Sequence, residues 1–107
     1  MAWLFIFIAS IFEISWAVGL KYSEGFTRTN SSIFTIITMI LSYVFLSLGV
    51  KHLPIGTAYA VWTGIGAVGT AIYGIVFFEE SKDLLRLFFI FLIVVGIIGL
   101  RLTYKAS

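Results

Sequence analysis

The sequence predicts an all-α membrane protein of four transmembrane helices, and three features predict it. Its 107 residues are 61% hydrophobic and 11% charged, where a soluble domain holds about 45–50% apolar and about 25% charged residues. A soluble domain this small hides only roughly 60–65% of its unfolded surface, so lipid must solvate the remainder. The apolar residues fall into four runs, each near the about 20 residues that cross a bilayer at 1.5 Å rise. The charges stand almost entirely between those runs. Residues 1–107 thus read as one four-helix transmembrane domain with spans near 2–20, 32–50, 54–78 and 84–102.

The first span, Ala2 to Leu20, is closed by Lys21 and the polar stretch Ser23 to Arg28. It has no basic n-region and no small-residue cleavage site, so it is expected to be retained and not to be a signal peptide. The second, Ser32 to Val50, has Asn30, Ser31 and Ser32 as candidate N-caps and ends at Lys51 and His52. Pro54 opens the third span, where its fixed φ and missing N–H suit a helix start. That span carries Gly56, Gly64, Gly66, Gly69 and Gly74, which imply a bend or close helix approach. The fourth follows the charged loop Glu79 to Asp83 and presents Gly96 and Gly99 on one face, suited to tight packing. Arg86 and Arg101, near its ends, can snorkel outward.

One charge breaks the pattern. Glu13 sits near the middle of the first span, where an acidic residue costs about 2.5–3.5 kcal/mol on insertion scales and persists mainly where it has a function or a partner. Ala9, Trp16, Ala17 and Leu20 share its face, with Ser10 one turn before it. Ser42 in the second span, with Thr35 and Thr38 on its stripe, and Tyr59, Trp62 and Gly66 in the third can meet it. All are neutral, and no Lys or Arg lies in the interior of any span. The counter-charge must therefore come from outside. A proton and a cation each neutralise a carboxylate and so compete for it, which is the basis of a proton-coupled cation exchanger. Trp16, Tyr59 and Trp62 can face a cation through their rings, worth about 2 kcal/mol or more when desolvated. A guanidinium suits such a site, because its planar fork matches a carboxylate and stacks on aromatic faces.

Charge balance bears on topology. With four spans, Lys51, Arg101 and Lys105 lie on one side and Lys21, Arg28, Lys82 and Arg86 on the other. Three against four sets no orientation by the positive-inside rule, so both insertion directions are open. Two copies inserted oppositely would supply the inverted repeat by which many transporters alternate access.

Other classes find little support. The seven basic residues behind the net charge of +2 are scattered, so no nucleic-acid partner is expected. With no cysteine, a disulfide or thiolate metal site is excluded, and neither a metal nor a cofactor is expected. Gly64, Gly66 and Gly69 spell GxGxxG, but inside an apolar span with no preceding strand, so it is no dinucleotide fingerprint. His52 reads as a solvated loop residue and Trp3 as an interfacial one. No constellation of catalytic groups is present, so an enzyme is not expected.

The run EISWAVGLKYSEGFTR around Glu13 and the block LPIGTAYAVWTGIGAVG from Leu53 to Gly69 resemble the small multidrug resistance transporters, and the likeness covers essentially the whole chain. Within that family the chain is most similar to the guanidinium exporter subtype. Trp16 one turn after Glu13, where multidrug members carry a small residue, points there, as does Lys51-His52-Leu53-Pro54 leading to Gly56-Thr57-Ala58-Tyr59-Ala60. The resemblance implies an antiparallel, dual-topology homodimer in a bacterial inner membrane that exchanges protons for guanidinium-type cations. It implies Glu13 as the shared proton and substrate carboxylate, Trp16 and Ser42 as its orienting partners, and Tyr59 and Trp62 as pocket walls. Gly64 and Gly66 would bend the third helix, and the last helix, with Gly96 and Gly99, would hold the dimer. Ser10 and the acidic Glu79-Glu80-Ser81 loop depart from the subtype pattern. Three other outcomes stay open at this point: a multidrug exporter of quaternary ammonium or aromatic cations, one subunit of a heterodimeric pair, and a membrane subunit that only packs against a partner.

Overall fold

In the computed structural model, which describes residues 1–103, four helices follow one another: α1 (Ala2–Tyr22), α2 (Thr29–Gly49), α3 (Ile55–Phe77) and α4 (Leu84–Thr103). Lys105, which enters the charge balance, lies outside the described residues. Each helix has 20 to 23 residues and so extends about 30–35 Å at 1.5 Å per residue, enough to cross the roughly 30 Å hydrocarbon core. All four are apolar enough to do so.

Short connections make sequential helices neighbours. Between α1 and α2 the backbone reverses through Glu24, Gly25 and Phe26, all at positive φ (49°, 74° and 67°). Ser23 ties this turn down: its hydroxyl donates to Leu20 O at 2.7 Å and accepts from Phe26 N at 3.2 Å. The turn is complete by Arg28, so α2 starts at Thr29 and the N-cap position falls on Arg28 without a side-chain bond. Asn30, Ser31 and Ser32 therefore lie inside the helix and do not cap it. The Ser32 hydroxyl instead bonds back to Arg28 O at 2.6 Å, the i−4 alternative open to a helical serine. Pro54 precedes the first turn of α3, and its carbonyl accepts from Ala58 N at 3.0 Å.

Helix α1 packs along α2 and α3, while α4 lies against α3. The small core of Ile6, Ala9, Leu53, Ala58, Val61 and Trp62 sits where α1 meets α3. Between α1 and α2 buried hydroxyls stand beside Ile6, which packs on Gly49, and Ser10, Thr35 and Thr38 bond to their own i−4 carbonyls at 2.7–2.8 Å. With no water in a bilayer core, that internal satisfaction lets hydroxyls serve as small packing residues.

The protein is a slab of helices with principal extents of 45 × 34 × 16 Å. Its accessible surface of 6862 Å² exceeds the about 5,900 Å² of a soluble monomer of this mass, and α4 has no buried residue among those described. A slab so thin leaves broad apolar faces for lipid or for another copy.

Candidate functional site

Glu13 is placed by α1 at mid-length, and its carboxylate lies against α3 at Gly66. A Cβ at Gly66 would overlap Glu13 Oε2 and come within 2.5 Å of its carboxyl carbon, so the glycine is what admits the side chain between the two helices. Glu13 Oε2 is buried and has no hydrogen-bond partner among the described residues, and the same holds for the indole Nε1 of Trp16 one turn on. An acceptor and a donor are thus both left unsatisfied in one place, where each such group costs about 1–3 kcal/mol. Among the described residues Glu13 takes part in no ion pair.

These two side chains face a cavity of about 430 Å³. On the α1 side Glu13, Trp16 and Ala17 line it, and on the α3 side Thr63, Gly66, Ala67, Thr70 and Ala71 do. The α3 residues recur at helical spacing as a stripe of small and hydroxyl-bearing side chains, which is what lets a hollow persist between two helices. Glu80 and Arg86 complete the lining at the loop end.

A second cluster sits one turn away. Ser42 of α2 donates to Ala9 O at 2.7 Å and accepts from Trp62 Nε1 at 2.9 Å, which locks α1, α2 and α3 at one point. Trp62 is buried, with Tyr43 tilted against it and Tyr59 edge-on, both at 5.5 Å between ring centroids. Ala9 and Glu13 are one turn apart on α1, as are Trp62 and Gly66 on α3, so the clusters are stacked about 6 Å apart along the α1–α3 contact. Ser42 and Trp62 bond each other and not Glu13. Tyr59 is 55% exposed and is not among the residues that line the Glu13 cavity.

The remaining predicted residues are placed as follows. Gly64 faces α4, where a Cβ would stand 2.9 Å from Ile97 Cγ1, and α3 is one helix through both Gly64 and Gly66. Among the described residues nothing lies within 4 Å of a Cβ built on Gly96 or Gly99; with Ala60, Gly64, Ile93 and Leu100 they line an open groove between α3 and α4. His52 is exposed in its loop. The guanidinium of Arg101 lies 4.7 Å from the centre of the Trp3 ring.

Sequence reasoning did not single out Tyr43, Thr63 or Thr70, nor Glu80 and Arg86 as cavity residues. For the threonines a signal existed in the Thr63, Gly66, Ala67, Thr70 spacing. For Glu80 and Arg86 there was none, because only the folded loop carries them there.

Comparison with known proteins decides the family. The chain matches the family described as Small Multidrug Resistance protein over residues 1–93. It belongs to the small multidrug resistance family. Among relatives in that family, one from Proteus vulgaris named guanidinium exporter is 59% identical over 102 residues, covering 95% of this chain and 98% of the relative. A guanidinium exporter from Yersinia pestis is 56% identical over the same shares. One from Escherichia coli (strain K12) is 54% identical over 96% of this chain and 98% of its own length. The family match ends at residue 93, inside α4, so α1, α2, α3, the Glu13 region and the α3–α4 loop all fall within it.

Proposed function

We propose that this bacterial multi-pass membrane protein exports guanidinium or small guanidinyl cations in exchange for protons, with Glu13 as the carboxylate for which the two compete. It is a transporter and not an enzyme. The observation that carries the reading is Glu13 itself: a mid-membrane carboxylate, seated on Gly66, with one buried oxygen unpartnered and no ion pair among the described residues. A carboxylate in that setting is neutralised by a proton or by a cation that enters the cavity. The names of the relatives supply the cation class.

The chemistry of the surroundings agrees. In this reading the Trp16 N–H and a guanidinium both donate to the Glu13 carboxylate, while the indole face of Trp16 supports the planar cation. Ser42 and Trp62, bonded together at 2.9 Å, hold α2 and α3 in register beside the site. In this reading the exposed Tyr59 joins the site from an oppositely inserted copy. A flat slab with an open cavity and a near-even charge balance fits an antiparallel homodimer, in which the second copy closes the cavity and supplies the inverted repeat. Helix α4, with no buried residue of its own, then carries the dimer contact through Gly96 and Gly99. Gly64 and Gly66 serve as the flexible point of α3 when access alternates.

The test is uptake of labelled guanidinium into liposomes under an imposed pH gradient, for the parent and for Glu13→Gln. Gradient-driven uptake by the parent and none by the variant is the expected result; equal uptake by both rejects Glu13 as the coupling group. One observation favours a second reading, export of bulkier aromatic or quaternary ammonium cations: the cavity of about 430 Å³ falls within the about 300–1,000 Å³ of sites for drug-sized ligands. Tight binding of large planar cations in preference to guanidinium decides for that reading.

A further inference from the structure

The cavity that holds Glu13 has a second carboxylate at its loop end. Beyond α3 the chain turns back through Glu79, at φ 53°, so that Glu80 N donates to Gly74 O at 3.1 Å beside the Phe78 N–H at 3.0 Å. Folded back this way, the Glu80 carboxylate rests on Gly74, where a Cβ would stand 2.6 Å from its carboxyl carbon. Gly74 therefore seats Glu80 as Gly66 seats Glu13. The two glycines are eight residues apart on one helix, which separates the carboxylates by about 12 Å along α3. Thr70 and Ala71 line the cavity between them.

Glu80 is already occupied by a guanidinium. Arg86 Nη2 donates to Glu80 Oε1 at 2.8 Å, while Nη1 donates to Ser81 O at 2.9 Å. Only one of the five N–H donors that could form a fork with the carboxylate is seen to do so, and the side chains are 33% (Arg86) and 39% (Glu80) exposed. Pairs this accessible to solvent are weakly held. The internal occupant has the same chemistry as the cation that the Glu13 site is read to carry, so one can replace the other on the same carboxylate.

We propose that Glu80 is an outer docking site for guanidinium-class cations at the mouth of the Glu13 cavity, and that Arg86 is a built-in competitor which the cation displaces on entry and which returns when it moves inward. The inference rests on the proposed function and extends it, naming where the cation first binds. Glu80 concentrates cations at the entrance, and Arg86 keeps the site neutral and shut between events. In an antiparallel pair, one such entrance lies at each membrane face.

The test measures initial guanidinium uptake against concentration in liposomes holding the full chain, for the parent, Glu80→Gln, Arg86→Gln, the double variant and Glu80→Asp. Glu80→Gln raises KM about 3- to 5-fold, the range of an accessible charge pair, with little change in kcat. Arg86→Gln lowers KM by a similar factor, because it frees the docking carboxylate, and it has no effect once Glu80 is Gln. Glu80→Asp, which keeps the charge, retains most of the parent behaviour. An ion pair that only braced the loop would make both single variants move KM or kcat in the same direction, and that result overturns the proposal, as does a KM unmoved by either variant. A parent that transports guanidinium while ignoring changes at Glu80 overturns only the docking site. A parent that moves no guanidinium overturns the underlying function and the docking site with it.

Discussion

Gly66 and Glu13 define the site as a pair, because the space the carboxylate occupies exists only where α3 lacks a side chain. Gly66→Ala forces the carboxylate out of its seat, and overpacking of this kind costs about 1–3 kcal/mol. The variant is therefore expected to lower thermal stability in detergent and to weaken guanidinium binding together, both measurable on one preparation. Ser42 makes a different prediction. It joins Ala9 O to the Trp62 indole, so Ser42→Ala leaves a buried N–H without its acceptor and destabilises the fold by about 1 kcal/mol. A melting temperature equal to that of the parent would contradict this. That Glu13 mattered was legible from its place in an apolar run. That Ser42 answers to Trp62 was not, because a hydroxyl on a helical stripe has several partners within reach until three helices are packed.

Among the elements, α4 is the one with no buried residue among those described. Among the described residues nothing comes within 4 Å of a Cβ built on Gly96 or Gly99, so Gly96→Leu is expected to leave the fold of a single copy intact. On the proposed reading it blocks close approach of a second copy, and cross-linking in membranes is expected to show the dimer fraction fall several-fold while helical content stays unchanged. An unchanged dimer fraction would remove α4 from the interface. The four helices could be read from the sequence because apolar runs of bilayer length have few alternatives. The start of α2 was less legible. Asn30, Ser31 and Ser32 are good caps, but the turn built on Glu24, Gly25 and Phe26 ends early enough for the helix to begin at Thr29. The return of Glu80 onto Gly74 was not legible at all, since it depends on one positive φ at Glu79 and on a contact six residues back along the chain.

For the whole molecule, thinness and charge balance lead to the same expectation. A slab with extents of 45 × 34 × 16 Å leaves the Glu13 cavity open, and three Lys or Arg against four give no positive-inside bias; both fit the proposed antiparallel pair. Adding charge to one side, with Thr29→Lys and Asn30→Lys at two exposed positions, is expected to fix a single orientation. The biased chain alone should then lose transport and regain it when co-expressed with a chain biased the other way; full activity of the biased chain alone would contradict dual topology. On the proposed function, one chain, through Glu13, couples the movement of a guanidinium cation to that of a proton in the opposite direction. This coupling is tested most directly by proton flux in liposomes holding only this protein, driven by a guanidinium gradient with no imposed pH difference. Proton movement against the guanidinium flow that disappears in Glu13→Gln is expected; guanidinium transport without proton movement, or proton movement that survives the substitution, would contradict the coupling.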